Sequence, residues 1–160
     1  DVLGSRGLGD VYKRQDKEHR QITLAYFDQR STIDYIGAVQ GIPVCFDAKE
    51  CVAETFPLQN IHEHQVEFMK NFEKQQGVAF VLIYYSSRNI LYYMRFEELY
   101  RFWMRAQNGG RKSFRFDELD ERFFMKFFHG CYVPYLDALN LDLELRDELD
   151  KTDETAYNAK

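Results

Sequence analysis

The chain carries, at residues 31–50, the stretch STIDYIGAVQGIPVCFDAKE. Two β-like runs, Tyr35 to Val39 and Ile42 to Lys49, flank Gln40-Gly41, a pair that suits a tight hairpin turn. The stretch therefore predicts two adjacent antiparallel strands. Asp34 lies at the start of the first strand and Asp47 near the end of the second, so this pairing predicts that the two carboxylates meet.

Two carboxylates and a lysine at the end of paired strands suit a divalent metal site. Asp34, Asp47 and the backbone carbonyl of Ala48 can supply three oxygens, the ligand type that Mg²⁺ prefers. Lys49 lies two residues after Asp47, so on a strand both side chains point to the same face. From there its ammonium could orient an attacking water or stabilise charge on a phosphate. By itself the pattern is weak, because it occurs often by chance, and it favours a turn aspartate and a surface charge pair.

The surrounding blocks resemble the RecU family of bacterial Holliday junction resolvases. The matching segments are Ala25-Tyr26-Phe27, Ser31-Thr32-Ile33-Asp34-Tyr35, Phe46-Asp47-Ala48-Lys49-Glu50, Phe56-Pro57-Leu58-Gln59-Asn60, His62-Glu63-His64-Gln65 and Gly109-Gly110-Arg111-Lys112-Ser113. The resemblance implies an α/β, restriction-endonuclease-like mixed sheet flanked by helices, with a PD-(D/E)xK site. It implies catalytic roles for Asp34, Asp47, Lys49 and Gln65, and metal ligation by Asp34, Asp47 and Ala48.

The same resemblance implies a function and its partners. The expected activity is Mg²⁺-dependent cleavage of four-way DNA junctions by a homodimer, with modulation of the recombinase RecA. Contacts to the DNA are expected from Thr32, Lys17, Arg20, Arg111 and Lys112. Two alternatives remain open: a junction-binding protein that does not cut, and a different PD-(D/E)xK nuclease. The departures from the family pattern are Ile33 for a usual Thr, Asp47 for a usual Glu and Ile36 for a usual Asn.

The organisation along the chain predicts three segments. Residues 1–15 are Gly-rich without apolar periodicity, and we interpret them as a non-native segment. Residues 16–140 form the expected nuclease domain. Residues 141–160 carry seven acidic and three basic residues, which predicts an acidic C-terminal helix or tail.

Periodicity predicts the remaining elements. Pro57 to Gln76 is expected to form a helix with Asn60 as N-cap, Gly77 at its end and Gln65 on the inward face. A buried strand is expected over Val78–Tyr84 with a hairpin partner over Asn89–Met94. Further helices are expected over residues 96–107, within 116–128 and over 135–149.

Composition bounds the class of protein. No apolar run approaches the roughly 18 residues of a membrane span, and three cysteines without CxxC spacing suggest a reducing cytoplasm. A net charge of −5 is unusual for a DNA-binding protein. Basic residues do cluster between Arg88 and Arg115, which fits either phosphate contacts or ordinary surface charge. His62 and His64, two apart on the expected helix, would point away from each other, so a shared metal is not expected.

Overall fold

The computed structural model describes residues 11–16, 21–27, 33–126 and 133–158. They fall into two compact units, residues 1–32 and residues 33–160. Strands and helices are numbered in chain order below.

The first unit contains a hairpin. Strand β1 (Val11–Asp16) pairs antiparallel with β2 (Gln21–Phe27), with an irregularity between Arg14 and Gln15. The β-leaning run at residues 22–27 was predicted and is confirmed. The strand at residues 11–16 was not predicted, because this Gly-flanked segment shows no alternation of apolar and polar residues.

The second unit is built on a five-stranded mixed sheet in the order β3-β4-β6-β7-β9. Strands β4 and β6 are parallel, and every other neighbouring pair is antiparallel. A smaller sheet pairs β5 with β8. The strands are β3 (Tyr35–Val39), β4 (Ile42–Cys51), β5 (Thr55–Pro57), β6 (Val78–Tyr85), β7 (Ile90–Arg95), β8 (Ser113–Arg115) and β9 (Phe124–Lys126).

The described residues of this unit also form three α-helices, namely α1 (Glu63–Glu73), α2 (Phe96–Gln107) and α3 (Tyr135–Asn158). Single 3₁₀ turns lie at Leu58–Asn60, Phe116–Glu118 and Glu121–Phe123. The predicted mixed sheet flanked by helices is confirmed, and it is consistent with a restriction-endonuclease-like fold. Helix α3 runs through residue 141 without a break. Of the described helices, none is long and apolar enough to cross a bilayer.

The core sits around the central strands. Almost every residue of β6 is buried, and its run Val-Ala-Phe-Val-Leu-Ile-Tyr-Tyr suits a strand covered on both faces. Gln40 and Gly41 between β3 and β4 have φ of 50° and 87°, the left-handed pair that a two-residue primed turn requires. The hairpin that was predicted from Gln40-Gly41 is therefore confirmed.

Two element predictions were wrong. Helix α1 begins at Glu63 with His62 as N-cap, not Asn60, because Phe56 and Pro57 belong to β5 and residues 58–60 form a 3₁₀ turn. The helix also ends before Gly77, at C-cap Lys74. Within residues 116–126 there is no α-helix, only the two 3₁₀ turns and β9; residues 127 and 128 lie outside the described part.

Candidate active site

Asp34 and Asp47 meet where β3 and β4 pair. Tyr35 lies opposite Phe46 in the register, Asp34 immediately precedes β3, and Asp47 follows Phe46 on β4. The Ala48 N–H lies 3.5 Å from Asp34 Oδ2, at the outer limit of a hydrogen bond. Asp34 is exposed, whereas Asp47 is fully buried. The hairpin thus presents one carboxylate to solvent and holds the other beneath it.

The two oxygens of the Asp47 carboxylate differ in their hydrogen-bond partners. Oδ2 accepts from Lys49 Nζ at 2.5 Å and from Gln65 Nε2 at 3.1 Å. Oδ1 is buried and has no hydrogen-bond donor within the described residues. A buried carboxylate oxygen without a partner is costly. This oxygen is therefore suited to a cation.

The pKa of the Asp47 carboxyl is raised above its ordinary value. Burial is the largest cause, and the neighbouring Asp34 carboxyl adds to it, while the contact with Lys49 opposes both. Part of the Asp34 contribution is electrostatic repulsion between the two neighbouring carboxyl groups. A divalent cation between the two acids would remove this repulsion.

Gln65 reaches Asp47 from the first turn of α1. It is buried on the inward face, as predicted. Its Oε1 accepts from the His62 N–H at 3.0 Å, which leaves Nε2 as the end that donates to Asp47. The orientation of the amide is therefore set by the helix cap. The prediction of these site residues missed His62, although the spacing His62-x-x-Gln65 matches that of a capping box.

The donor set fits a hard divalent ion. Asp34, the free oxygen of Asp47 and the Ala48 carbonyl are oxygen donors, the ligand type that Mg²⁺ takes. Within the described residues, no group of three or more His, Cys, Asp or Glu side chains surrounds a metal position. Two side-chain acids and a backbone carbonyl are compatible with that finding, because Mg²⁺ usually keeps several waters.

The histidines near this helix do not face apart as predicted. The rings of His62 and His64 stack with centroids 5.3 Å apart and planes 10° apart. The prediction treated both as helical, whereas His62 has extended backbone as the N-cap.

Of the five residues predicted to contact DNA, two lie within the described part of the chain. Thr32, Lys17 and Arg20 lie outside the described residues. Arg111 is exposed and pairs with Glu118 at 3.2 Å, while Lys112 is exposed. The arginine cluster from Arg88 to Arg115 is largely neutralised, because each described arginine in it pairs with an acid; the acids are Glu54, Glu97, Glu98, Asp117 and Glu118. This favours ordinary surface charge for most of the cluster.

Comparison with known proteins places this arrangement in a family. The family model described as RecU, Recombination protein U, matches residues 11–141, which include both acids, Lys49 and Gln65. The chain belongs to the RecU family. Helix α1 and the β3–β4 hairpin are thus elements of a RecU-type domain.

Curated relatives with the name Holliday junction resolvase RecU support this membership. The protein from Pediococcus pentosaceus is 38% identical over 126 residues, covering 78% of this chain and 63% of the relative. The Bacillus subtilis protein is 42% identical over 121 residues, covering 75% and 57%. The Bacillus licheniformis protein is 48% identical over 101 residues, covering 62% and 50%. The chain thus spans roughly half to three fifths of the length of these relatives.

Proposed function

We propose that this chain is a Mg²⁺-dependent, structure-selective DNA endonuclease that resolves four-way junctions. The observation that carries the proposal is the buried Asp47 carboxylate, whose Oδ1 has no donor beside the Asp34 carboxyl. Membership of the RecU family supports the choice of substrate, since the relatives are named as Holliday junction resolvases.

Each residue of the candidate site has a distinct role in this proposal. Asp34, Asp47 and the Ala48 carbonyl would hold Mg²⁺. When bound, the ion polarises a phosphoryl oxygen and lowers the pKa of a water. Lys49, with 22% of its side chain exposed, opposes the rise in the pKa of Asp47 and would place a positive charge where negative charge grows on the phosphate. Gln65 positions Asp47 from the helix side.

Contacts to DNA and to proteins complete the proposal. We assign Thr32, Lys17, Arg20, Arg111 and Lys112 to phosphate binding. Two symmetric cuts require two active sites, so we propose a homodimer. RecA as a partner and a cytoplasmic location also belong to this proposal. The cytoplasm is consistent with the thiols of Cys45 and Cys51, which are buried and unpaired.

The direct test compares a synthetic four-way junction with a linear duplex of the same sequence. The native chain is expected to nick the junction only when Mg²⁺ is present. Asp34→Asn is expected to bind the junction and leave it uncut, because phosphate contacts persist when a metal ligand is lost.

Each of the other possible results would either favour an alternative function or contradict the assigned site. Binding of the junction without nicking by the native chain would indicate a junction-binding protein that does not cut. Equal nicking of the linear duplex would indicate a different kind of PD-(D/E)xK nuclease. Nicking at the native rate by Asp34→Asn would contradict the assigned site.

A further inference from the structure

A cavity of about 530 Å³ lies between the 3₁₀ turn at residues 58–60, the last turns of α2 and the loop that follows α2. Leu58, Ile61 and Trp103 give it an apolar wall. Gln59 and Gln107 contribute carboxamides, and Lys112 contributes an ammonium. Its size and its few polar groups on an apolar lining are typical of a small-molecule site.

The loop that carries Lys112 is held on both sides. Gly110 donates to the Arg105 carbonyl at 2.9 Å, and a Cβ at Gly110 would lie 2.7 Å from that oxygen. Leu58 N–H donates to the Lys112 carbonyl at 3.1 Å. Arg105 Nη2 donates to the Ser113 carbonyl at 2.6 Å. The lysine is therefore presented from a fixed backbone.

The positive charge of Lys112 at the cavity has no acidic partner among the described residues. None of the described residues that line the cavity is acidic. The arginines around it, Arg105 and Arg111, both pair with Glu118, whereas the structure places no carboxylate within 4.0 Å of the Lys112 ammonium among the described residues. An anionic group on the ligand would supply the missing charge.

We propose that this cavity takes one unpaired nucleobase of the DNA together with an adjacent phosphate. The Trp103 indole offers a stacking surface, which every base can use. The carboxamides of Gln59 and Gln107 both donate and accept, as base edges require. Lys112 contacts the phosphate. The proposal rests on the proposed function only in taking DNA as the ligand.

The cavity is also coupled to the metal-binding acids through a short segment. Ile61 lines it, and the next residue, His62, fixes the amide of Gln65 on Asp47. A ligand in the cavity would therefore stabilise the N-cap of α1, and with it the position of Gln65 at Asp47.

The test uses Trp103 itself, because it is the chain's only tryptophan. The full chain, in EDTA so that no cutting occurs, is titrated with a short oligothymidylate and with an abasic oligonucleotide of equal length. We expect saturable quenching of the tryptophan fluorescence by the oligothymidylate and little by the abasic strand. Equal quenching by both, or none by either, would overturn the proposal.

Two lysine variants distinguish a specific phosphate contact at the cavity from general electrostatic attraction to DNA. Lys112→Ala is expected to lower the slope of log K against log salt for the oligothymidylate by about 0.7, the value for one phosphate contact on a single strand. Lys74→Ala, at the opposite end of α1 from Ile61, should leave the slope unchanged. Equal effects of the two variants would overturn the proposal. Quenching without junction nicking would leave the cavity assigned and reject the proposed function, whereas nicking without quenching would do the reverse.

Discussion

At the scale of single residues, opposing influences act on the pKa of the buried Asp47 carboxyl. Burial and Asp34 raise its pKa, and Lys49 is the contact that most strongly lowers it. Above the raised folded-state pKa, ionised Asp47 therefore costs folding stability, and below the ordinary pKa of an aspartate that cost is absent. The lysine opposes this rise in the pKa of Asp47 and so limits the cost.

Lys49→Ala is expected to lower the single-turnover nicking rate by about 10²-fold, a magnitude typical of losing one charge-stabilising donor. Its removal also raises the pKa of Asp47 further, so the rate should fall at a higher pH on the acid side. A pH–rate profile with a four-way junction measures both effects.

Lys49→Arg is the matched control, since it keeps the charge. It should retain the acid-side profile of the native chain. An unchanged rate in Lys49→Ala together with weaker junction binding would make Lys49 a phosphate anchor instead.

At the scale of elements, helix α1 carries Gln65 to Asp47, and the turn after the helix makes a tight contact at Gly77. The helix ends at Glu73, Gln76 takes the left-handed conformation with φ of 65°, and the Gly77 N–H donates to the Phe72 carbonyl. A Cβ at Gly77 would lie 2.3 Å from the Phe72 ring. Glycine is required here by close approach and not by its backbone angle.

Gly77→Ala is therefore expected to lower the free energy of unfolding by about 1–3 kcal/mol, the usual cost of overpacking. Gly37→Ala, on exposed strand β3 with nothing within 4 Å of the added Cβ, is the control and should change it little. Denaturant titration of both variants measures the difference. Equal loss of stability in both would contradict the role given to the Phe72 contact.

Local pattern predicted most of these elements and the inward position of Gln65. The β3–β4 hairpin, β6, β7 and α2 follow from turn chemistry and apolar runs within a few residues. The start of α1 does not, because Phe56 and Pro57 pair with Phe114 and Ser113, far away in the chain.

Local pattern also could not predict which acids pair with the clustered arginines, nor the cavity. Two of the acids that pair with the arginines, Asp117 and Glu118, lie in a 3₁₀ turn that local pattern did not predict. The cavity at Trp103 likewise arises from packing between distant segments. The proximity of Asp34 and Asp47 could be predicted because the hairpin that joins them is local.

At the scale of the molecule, helix α3 is tied to the sheet and to α1 by one network. Arg146 contacts Glu73 at 2.6 Å and Asp142 at 3.0 Å, and Asp142 accepts from the Tyr93 hydroxyl at 3.0 Å. Asp142 is almost fully buried. Glu73 also accepts from the Ala79 N–H at the start of β6. The helix that crosses residue 141 is thus an integral part of the second unit.

Arg146→Ala is expected to destabilise the fold by on the order of 3 kcal/mol, because it leaves the buried Asp142 carboxylate without its cation. Arg122→Ala removes an exposed pair with Asp120 and should change stability little. Thermal unfolding of the two variants distinguishes them. A native-like midpoint for Arg146→Ala would mean that α3 is held by its apolar contacts alone.

The central claim is that the free oxygen of Asp47 and the carboxyl of Asp34 hold Mg²⁺, and thermal unfolding tests it without cutting. At Mg²⁺ tenfold above its Kd, bound metal should stabilise the native chain by about 1.4 kcal/mol. The melting midpoint should then rise by about 3–6 °C. Asp47→Asn should melt at the same temperature with and without Mg²⁺. Equal rises in both proteins, or no rise in the native chain, would contradict the account.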